Sequence, residues 1–247
     1  MPHTANKPFY LVGHRGLPAY YPENTLAGIL AAIAEGADAV EFDIQISKDN
    51  IPVVIHDDTL LRTTGINGDL ADYTYSLLER ISAHEPERLG QSHLPEPIVS
   101  LAKLVQELKK WPEVHAFAEI KSEIFKRQTR EKTLHSIATI LTPIKSHCSI
   151  ISFDYEILSL ARAAGFSIGW VLNAMDETSL ACALALAPEF LIIDYNQIPP
   201  SGPWPGPWRW FVYDITDGPS AAAAIKKGIT YIESWDARGL KQYFDAL

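Results

Sequence analysis

His115-Ala116-Phe117-Ala118-Glu119-Ile120, Cys148-Ser149-Ile150-Ile151-Ser152 and Ser167-Ile168-Gly169-Trp170-Val171-Leu172 are three short apolar runs, and the stretch 115–172 that holds them decides the fold. Lys132–Leu141 lies between the first two and Tyr155–Ala164 between the second two, each with apolar residues recurring at helical spacing. Strand and helix alternating at this pitch implies parallel strands joined by crossover helices, because a tight hairpin cannot reach a parallel neighbour. The alternation runs on in both directions. Upstream, strands are expected at Tyr10–Gly13 and Ala39–Asp43, with helices at Thr25–Ala34 and Leu101–Lys110. Downstream, a helix at Glu177–Ala185 precedes strands at Phe190–Ile193, Trp210–Tyr213 and Ile229–Ile232. Eight strands in 247 residues give an α/β fold, a (β/α)8 TIM barrel, expected as one domain over 1–247.

Two stretches break the pattern. From about Asp57 to Pro97 the chain is long and polar, with Gly65, Gly68 and several prolines, too much for an ordinary loop, and it is expected as an insertion after strand 2. Gln197–Trp208 carries Pro199, Pro200, Pro203, Pro205 and Pro207, which forbid a continuous helix, so the helix between strands 6 and 7 is expected to be degenerate. Apolar surface on that side calls for either a homodimer contact or a compact cap built from Trp204, Trp208 and Trp210.

Composition narrows the function classes. No apolar run approaches the ~20 residues that cross a bilayer, so no membrane insertion is expected. Met1–Lys7 lacks the basic start and apolar block of a signal peptide, and Cys148 and Cys182 cannot form a disulfide framework, which points to the cytoplasm. A formal net charge of −9 repels a polyphosphate backbone, so nucleic acid is excluded and any phosphate recognition is local.

Within Val40-Glu41-Phe42-Asp43-Ile44 the acids share one face of a strand and the apolar residues the other. If the apolar face meets the helices, Glu41 and Asp43 converge in the barrel mouth, where a hard divalent cation offsets their desolvation and repulsion; the other reading is a pair of surface acids on an edge strand. Glu119 ends a further strand with Lys121 on the same face, and either supplies a third oxygen ligand or pairs with that lysine. Three carboxylates without cysteine favour one Mg2+, Ca2+ or Mn2+ over zinc. His14 and His56 each end a short apolar run and suit acid–base work near neutrality, although a lone histidine in such a place is more often structural. His3, His84, His93, His115, His135 and His147 have no such setting. Arg15, between Gly13 and Gly16, offers a guanidinium either to a phosphoryl group or to a structural salt bridge. Asn24 or Thr25, in Pro22-Glu23-Asn24-Thr25, caps the helix that follows.

His14-Arg15-Gly16, Pro22-Glu23-Asn24-Thr25, Glu41-Phe42-Asp43, His56-Asp57 with Arg62-Thr63-Thr64-Gly65, and Glu119-Ile120-Lys121 together resemble the glycerophosphodiester phosphodiesterase family, with Ser152-Phe153-Asp154 as a weaker continuation. The resemblance implies a metal-dependent phosphodiester hydrolase acting on a small molecule and releasing glycerol 3-phosphate and an alcohol. It implies a metal at Glu41, Asp43 and Glu119, His14 and His56 as the acid–base pair, Arg15 and Lys121 facing the phosphate, and an insertion near the active site. The last quarter departs from the family. Tyr213-Asp214-Ile215-Thr216 replaces a Trp-Thr-Val-Asn-like end, and Ser234-Trp235 stands where Thr-Asp is usual, which makes Trp235 a candidate wall for the alcohol. Two rival readings are a metal-independent phospholipase C or lyase that stops at a cyclic phosphate, and a barrel that binds a phosphorylated ligand without turning it over.

Overall fold

The computed structural model describes residues 7–247, and the reading of Met1–Asn6, His3 included, lies outside them. Among the described residues nine strands form one sheet: β1 Tyr10–Gly13, β2 Ala39–Ile46, β3 Pro52–Val54, β4 His115–Ile120, β5 Cys148–Ser152, β6 Ser167–Val171, β7 Phe190–Asp194, β8 Arg209–Tyr213 and β9 Tyr231–Ser234. β1 pairs with both β9 and β2, and every pairing around the ring is parallel, so eight of the strands close a (β/α)8 barrel. The ninth, β3, runs antiparallel to β2 outside the ring, with Ile44 opposite Val54 and Ile46 opposite Pro52.

Alternation along the strands sorts the core. Val40, Phe42, Ile44, Ala116, Ala118 and Ile120 turn outward into the main cluster with the helices. Val12, Ala39, Phe117, Ile151, Val171, Phe190, Ile192, Phe211 and Tyr231 turn inward and fill the barrel. Four of these inner rings interlock, with Phe117 5.0 Å from Phe190 and 4.9 Å from Phe211 at steep angles and Phe190 5.1 Å from Tyr231, the edge-to-face geometry that ring quadrupoles favour. His115 completes this floor by its hydrogen bond to Ser149 Oγ at 2.9 Å, a structural role. A packed floor leaves the opposite, C-terminal end of the barrel to hold a site.

Thr25, not Asn24, caps the Leu26–Ala34 helix, its hydroxyl accepting from Gly28 N. Helices Leu101–Leu108, Arg130–Leu141, Tyr155–Ala163 and Glu177–Leu186 fall where the periodicity puts them, and Gly218–Lys226 and Ala237–Asp245 complete the outer layer.

The insertion begins earlier than expected. Asn50 takes the left-handed conformation at φ 63° in a turn that sends Pro52–Val54 back along β2. The segment beyond builds a small apolar cluster of its own from Val53, Ile55, Leu60, Leu70, Leu78, Ala83 and Ile98. Buried Glu85 fastens it to the barrel by accepting from Glu23 N at 2.6 Å, and Arg88 by donating to Tyr21 O at 2.8 Å.

Between β7 and β8 the chain makes one 3-10 turn at Tyr195–Gln197 and no α-helix. Trp208 and Trp210 are buried, Trp204 packs against the core, and the Trp210 indole N–H donates to Trp204 O at 2.8 Å. The chain therefore builds the tryptophan–proline cap. The apolar surface expected on the outer face of these strands is smaller than their composition suggests, because Phe190, Ile192 and Phe211 face the barrel interior while Leu191 and Val212 face the cap side.

Candidate active site

Six strand ends deliver polar groups to the mouth. His14 and Arg15 follow β1, Glu41 and Asp43 lie on β2, His56 follows β3, Glu119 lies on β4 with Lys121 just beyond, Tyr213 and Asp214 end β8, and Glu233 lies on β9. With Ile151, Phe153, Val171, Ile192 and Phe211, all of these but Asp43 line one cavity of about 170 Å3.

The turn after β1 depends on glycine. Arg15 has φ 52° and Gly16 φ 96°, and a Cβ on Gly16 would lie 2.6–2.8 Å from the Gly28–Ile29 backbone. This close passage aims the Arg15 backbone N–H at Glu41 Oε2, 2.9 Å away, while its guanidinium reaches Glu23 at 2.9 Å and Asp43 at 3.3 Å. Asn24, also left-handed at φ 55°, grips Asp43 from both sides: its Nδ2 donates to Asp43 Oδ2 at 2.8 Å and its Oδ1 accepts from Asp43 N at 3.0 Å. Asn24 thus orients a carboxylate rather than capping a helix.

Lys121 donates to Glu119 Oε1 at 2.8 Å and lies 3.3 Å from Asp43 Oδ1, so it serves both acids. His56 Nδ1 stands 2.7 Å from Asp57 Oδ1, and Arg62 makes paired contacts with Asp57 at 2.7 and 2.8 Å and with buried Glu23 at 2.7 and 2.8 Å. A carboxylate on Nδ1 favours the tautomer with a proton there and leaves Nε2 as the reactive nitrogen.

Burial and charge divide the acids. Burial pushes Asp43 up, but Lys121 and Arg15 outweigh it and hold the carboxyl at about 2. Glu41 is driven well above the ordinary carboxylate value by burial and then by Asp43, Glu233 and Glu119. Burial and Asp43 raise Glu119 in spite of its lysine, and burial with Glu119 raises Glu233 strongly. His14 is lowered to about 3, first by burial and then by Arg15, so it is neutral at pH 7. One oxygen each of Glu41 and Glu233 and Nδ1 of His14 are buried without a hydrogen-bond partner.

Among the described residues, ligand atoms of Glu41, Asp43 and Glu119 lie within 4.8 Å of one another, and so do those of His14, Glu41 and Glu233. An ion bound by oxygens at roughly 2.0–2.6 Å fits either spacing. The residues singled out in the sequence are thus brought together, with one exception. Trp235 sits outside the cavity lining, its ring edge-on to His14 at a centroid distance of 6.0 Å and under the Arg88 guanidinium at 5.7 Å. Sequence reasoning missed Glu233, because the last strand was expected to stop at Ile232; with Tyr231 pointing inward, the period of two was the signal that Glu233 does too.

The family model described as "Glycerophosphoryl diester phosphodiesterase family" matches residues 14–169. The YhdW protein of Bacillus subtilis (strain 168) is 27% identical over 199 residues, covering 76% of this chain and 70% of that protein. Human glycerophosphodiester phosphodiesterase 1 is 40% identical over 96 residues, 39% of this chain and 29% of the human protein. In fold, an Oleispira antarctica phosphodiesterase solved with the product sn-glycerol-3-phosphate superposes with a TM-score of 0.83 at 23% identity, covering 96% of both chains.

Proposed function

The chain belongs to the glycerophosphoryl diester phosphodiesterase family, a family of phosphoric diester hydrolases, and from that premise we propose that it hydrolyses a glycerophosphodiester to glycerol 3-phosphate and an alcohol. The observation that carries this reading is one cavity lined by two histidines, two cations and inward carboxylates at the end of a barrel whose other end is packed shut. The product named for the Oleispira antarctica protein, which shares the fold, supports the substrate class.

Glu41, Asp43 and Glu119 would hold a divalent cation, and their donor set fits one: three carboxylates, one with an unpartnered buried oxygen, and no thiolate. When bound, that ion supplies positive charge against the phosphoryl oxygens. The chain's own residues do the rest. Arg15 and Lys121 point N–H donors at the same oxygens, each kept in place by carboxylates it already contacts, so little reorganisation is needed as charge develops. His56, oriented by Asp57, accepts a proton at Nε2 from the attacking hydroxyl. His14, neutral and reaching in from β1, donates a hydrogen bond from its ring N–H to the leaving oxygen, which takes its proton from water as the alcohol departs.

The test is a panel of glycerophosphodiesters and simple phosphodiesters incubated with Mg2+, Ca2+ or Mn2+, with glycerol 3-phosphate and cyclic phosphate both measured. Glycerol 3-phosphate formed only with a metal is the expected result. Turnover in chelator that stops at a cyclic product replaces the proposal with a lyase, and binding without turnover replaces it with a carrier of phosphorylated ligands.

A further inference from the structure

We propose a second divalent-cation position beside the first, formed by His14, Glu41 and Glu233, with the Glu41 carboxylate shared between the two ions. The inference deepens the functional reading above and rests on it.

The geometry comes first. One ring nitrogen of His14 and one oxygen each of Glu41 and Glu233 lie within 4.8 Å of one another. Ligands on opposite sides of an ion with bonds of about 2.1–2.4 Å are about 4.2–4.8 Å apart, so the three enclose a cation without large movement. Glu41 belongs to this group and to the Glu41, Asp43 and Glu119 group, which gives the shared-carboxylate arrangement of two-metal phosphoesterase sites, where the ions sit roughly 3.5–4 Å apart.

Unpartnered atoms provide a separate argument. Glu41 is 2% exposed and Glu233 4%, and each has a buried oxygen that receives no hydrogen bond; Nδ1 of His14 is likewise buried without a partner. Buried carboxylate oxygens without hydrogen bonds on two acids that lie beside each other and beside His14 are costly once ionised unless something positive joins them. A neutral imidazole can give one nitrogen to a cation and keep an N–H on the other, so His14 still presents a donor to the leaving oxygen.

Charge gives the third argument. The acids at the mouth, Glu41, Asp43, Glu119, Asp214 and Glu233, outnumber the cations Arg15 and Lys121, and a phosphodiester anion adds to the excess, so bound divalent charge is favoured there.

Mn2+ is the probe. The full chain, stripped with chelator and dialysed against Mn2+, is analysed for bound metal per chain and by low-temperature electron paramagnetic resonance. The wild type should bind two Mn2+ with an exchange-coupled spectrum. Glu233→Gln and Glu233→Ile, each checked for folding by circular dichroism, should bind one with an uncoupled spectrum, and His14→Asn should do the same should the Glu233 variants fail to fold. A wild type that saturates at one Mn2+, or a folded Glu233→Gln that retains two coupled ions, overturns the second position. Loss of all binding in Glu119→Gln alongside a single wild-type ion overturns it while leaving the first metal site standing, and a wild type that binds no Mn2+ removes both.

Discussion

Asn24→Ala tests whether the site is held by the loop before the first helix. Asn24 makes two buried contacts with Asp43, donating to its carboxylate at 2.8 Å and accepting from its backbone N–H at 3.0 Å. Its removal leaves both groups short of a partner, at about 1–3 kcal/mol each. Asn24 already carries a Cβ at φ 55°, so alanine adds no new Cβ strain. Lys121 and Arg15 still face the carboxylate, so the lower half of that range applies, about 2–4 kcal/mol in all. For a chain of 247 residues this lowers Tm by roughly 4–16 °C, taking about 2–4 °C per kcal/mol. Asn24→Gly loses the same two hydrogen bonds without the strain and should recover about 1 kcal/mol relative to alanine. Urea unfolding of the three proteins in chelator, at one pH, measures both differences. An alanine variant within about 1 kcal/mol of wild type, or a glycine variant no more stable than the alanine one, refutes the reasoning, because the loop would then be a passive cap.

Three further outcomes are expected. In chelator, Glu41, Glu119 and Glu233, raised in the fold, contribute stability that is full below about 4.5 and lost as pH rises through their folded values, whereas His14, lowered to about 3, Asp43, held at about 2, and Glu23 contribute stability that is lost as pH falls. Tm against pH in chelator for the wild type and Glu233→Gln checks this: the variant should lose less stability between about pH 5 and pH 8, and an unchanged difference contradicts it. His56→Ala should lower kcat by about 10²–10⁴ with the fold intact, and a near-wild-type kcat on a substrate with a poor leaving group would make His56 a structural residue. Trp210→Ala should cost about 3–5 kcal/mol in urea unfolding, since this ring is 5% exposed at the centre of the cap; a cost below about 1 kcal/mol shows that the cap adds little to the barrel.

The barrel was legible because its strands are buried on both faces and bounded by polar residues. β1, β4 and β5 have the expected ends, and the alternation in Val40–Ile44 put Glu41 and Asp43 on one face, which turns inward because Val40, Phe42 and Ile44 do meet the helices. β3 was not anticipated, although Lys48-Asp49-Asn50 is turn chemistry, because three residues carry too little periodicity to separate a returning strand from the run into His56. The helix at Gly218–Lys226 is Ala-rich, and its apolar face is hardly marked by composition. Asn24 and Glu233 were missed for a different reason: each acts on residues distant in sequence, Asp43 for one and the His14–Glu41 pair for the other, so nothing local distinguishes them from a cap and a strand-end acid.

His56 has a different origin from the groups it faces. Glu41, Asp43, Glu119 and Glu233 belong to ring strands with the full cooperativity of the barrel, whereas His56 is carried on the returning β3 strand and continues into a segment with its own apolar cluster, fastened through Glu85 and Arg88. Segments with a small separate core open at lower free energy than the sheet that anchors them. On the proposed reading, the groups that would hold an ion and the group that would move a proton therefore rest on different parts of the fold. Gentle heat or denaturant should then pass through a form in which the acids of the ring strands keep their places and His56 has lost its own, which Mn2+ binding and turnover, followed together across the denaturant range, would separate.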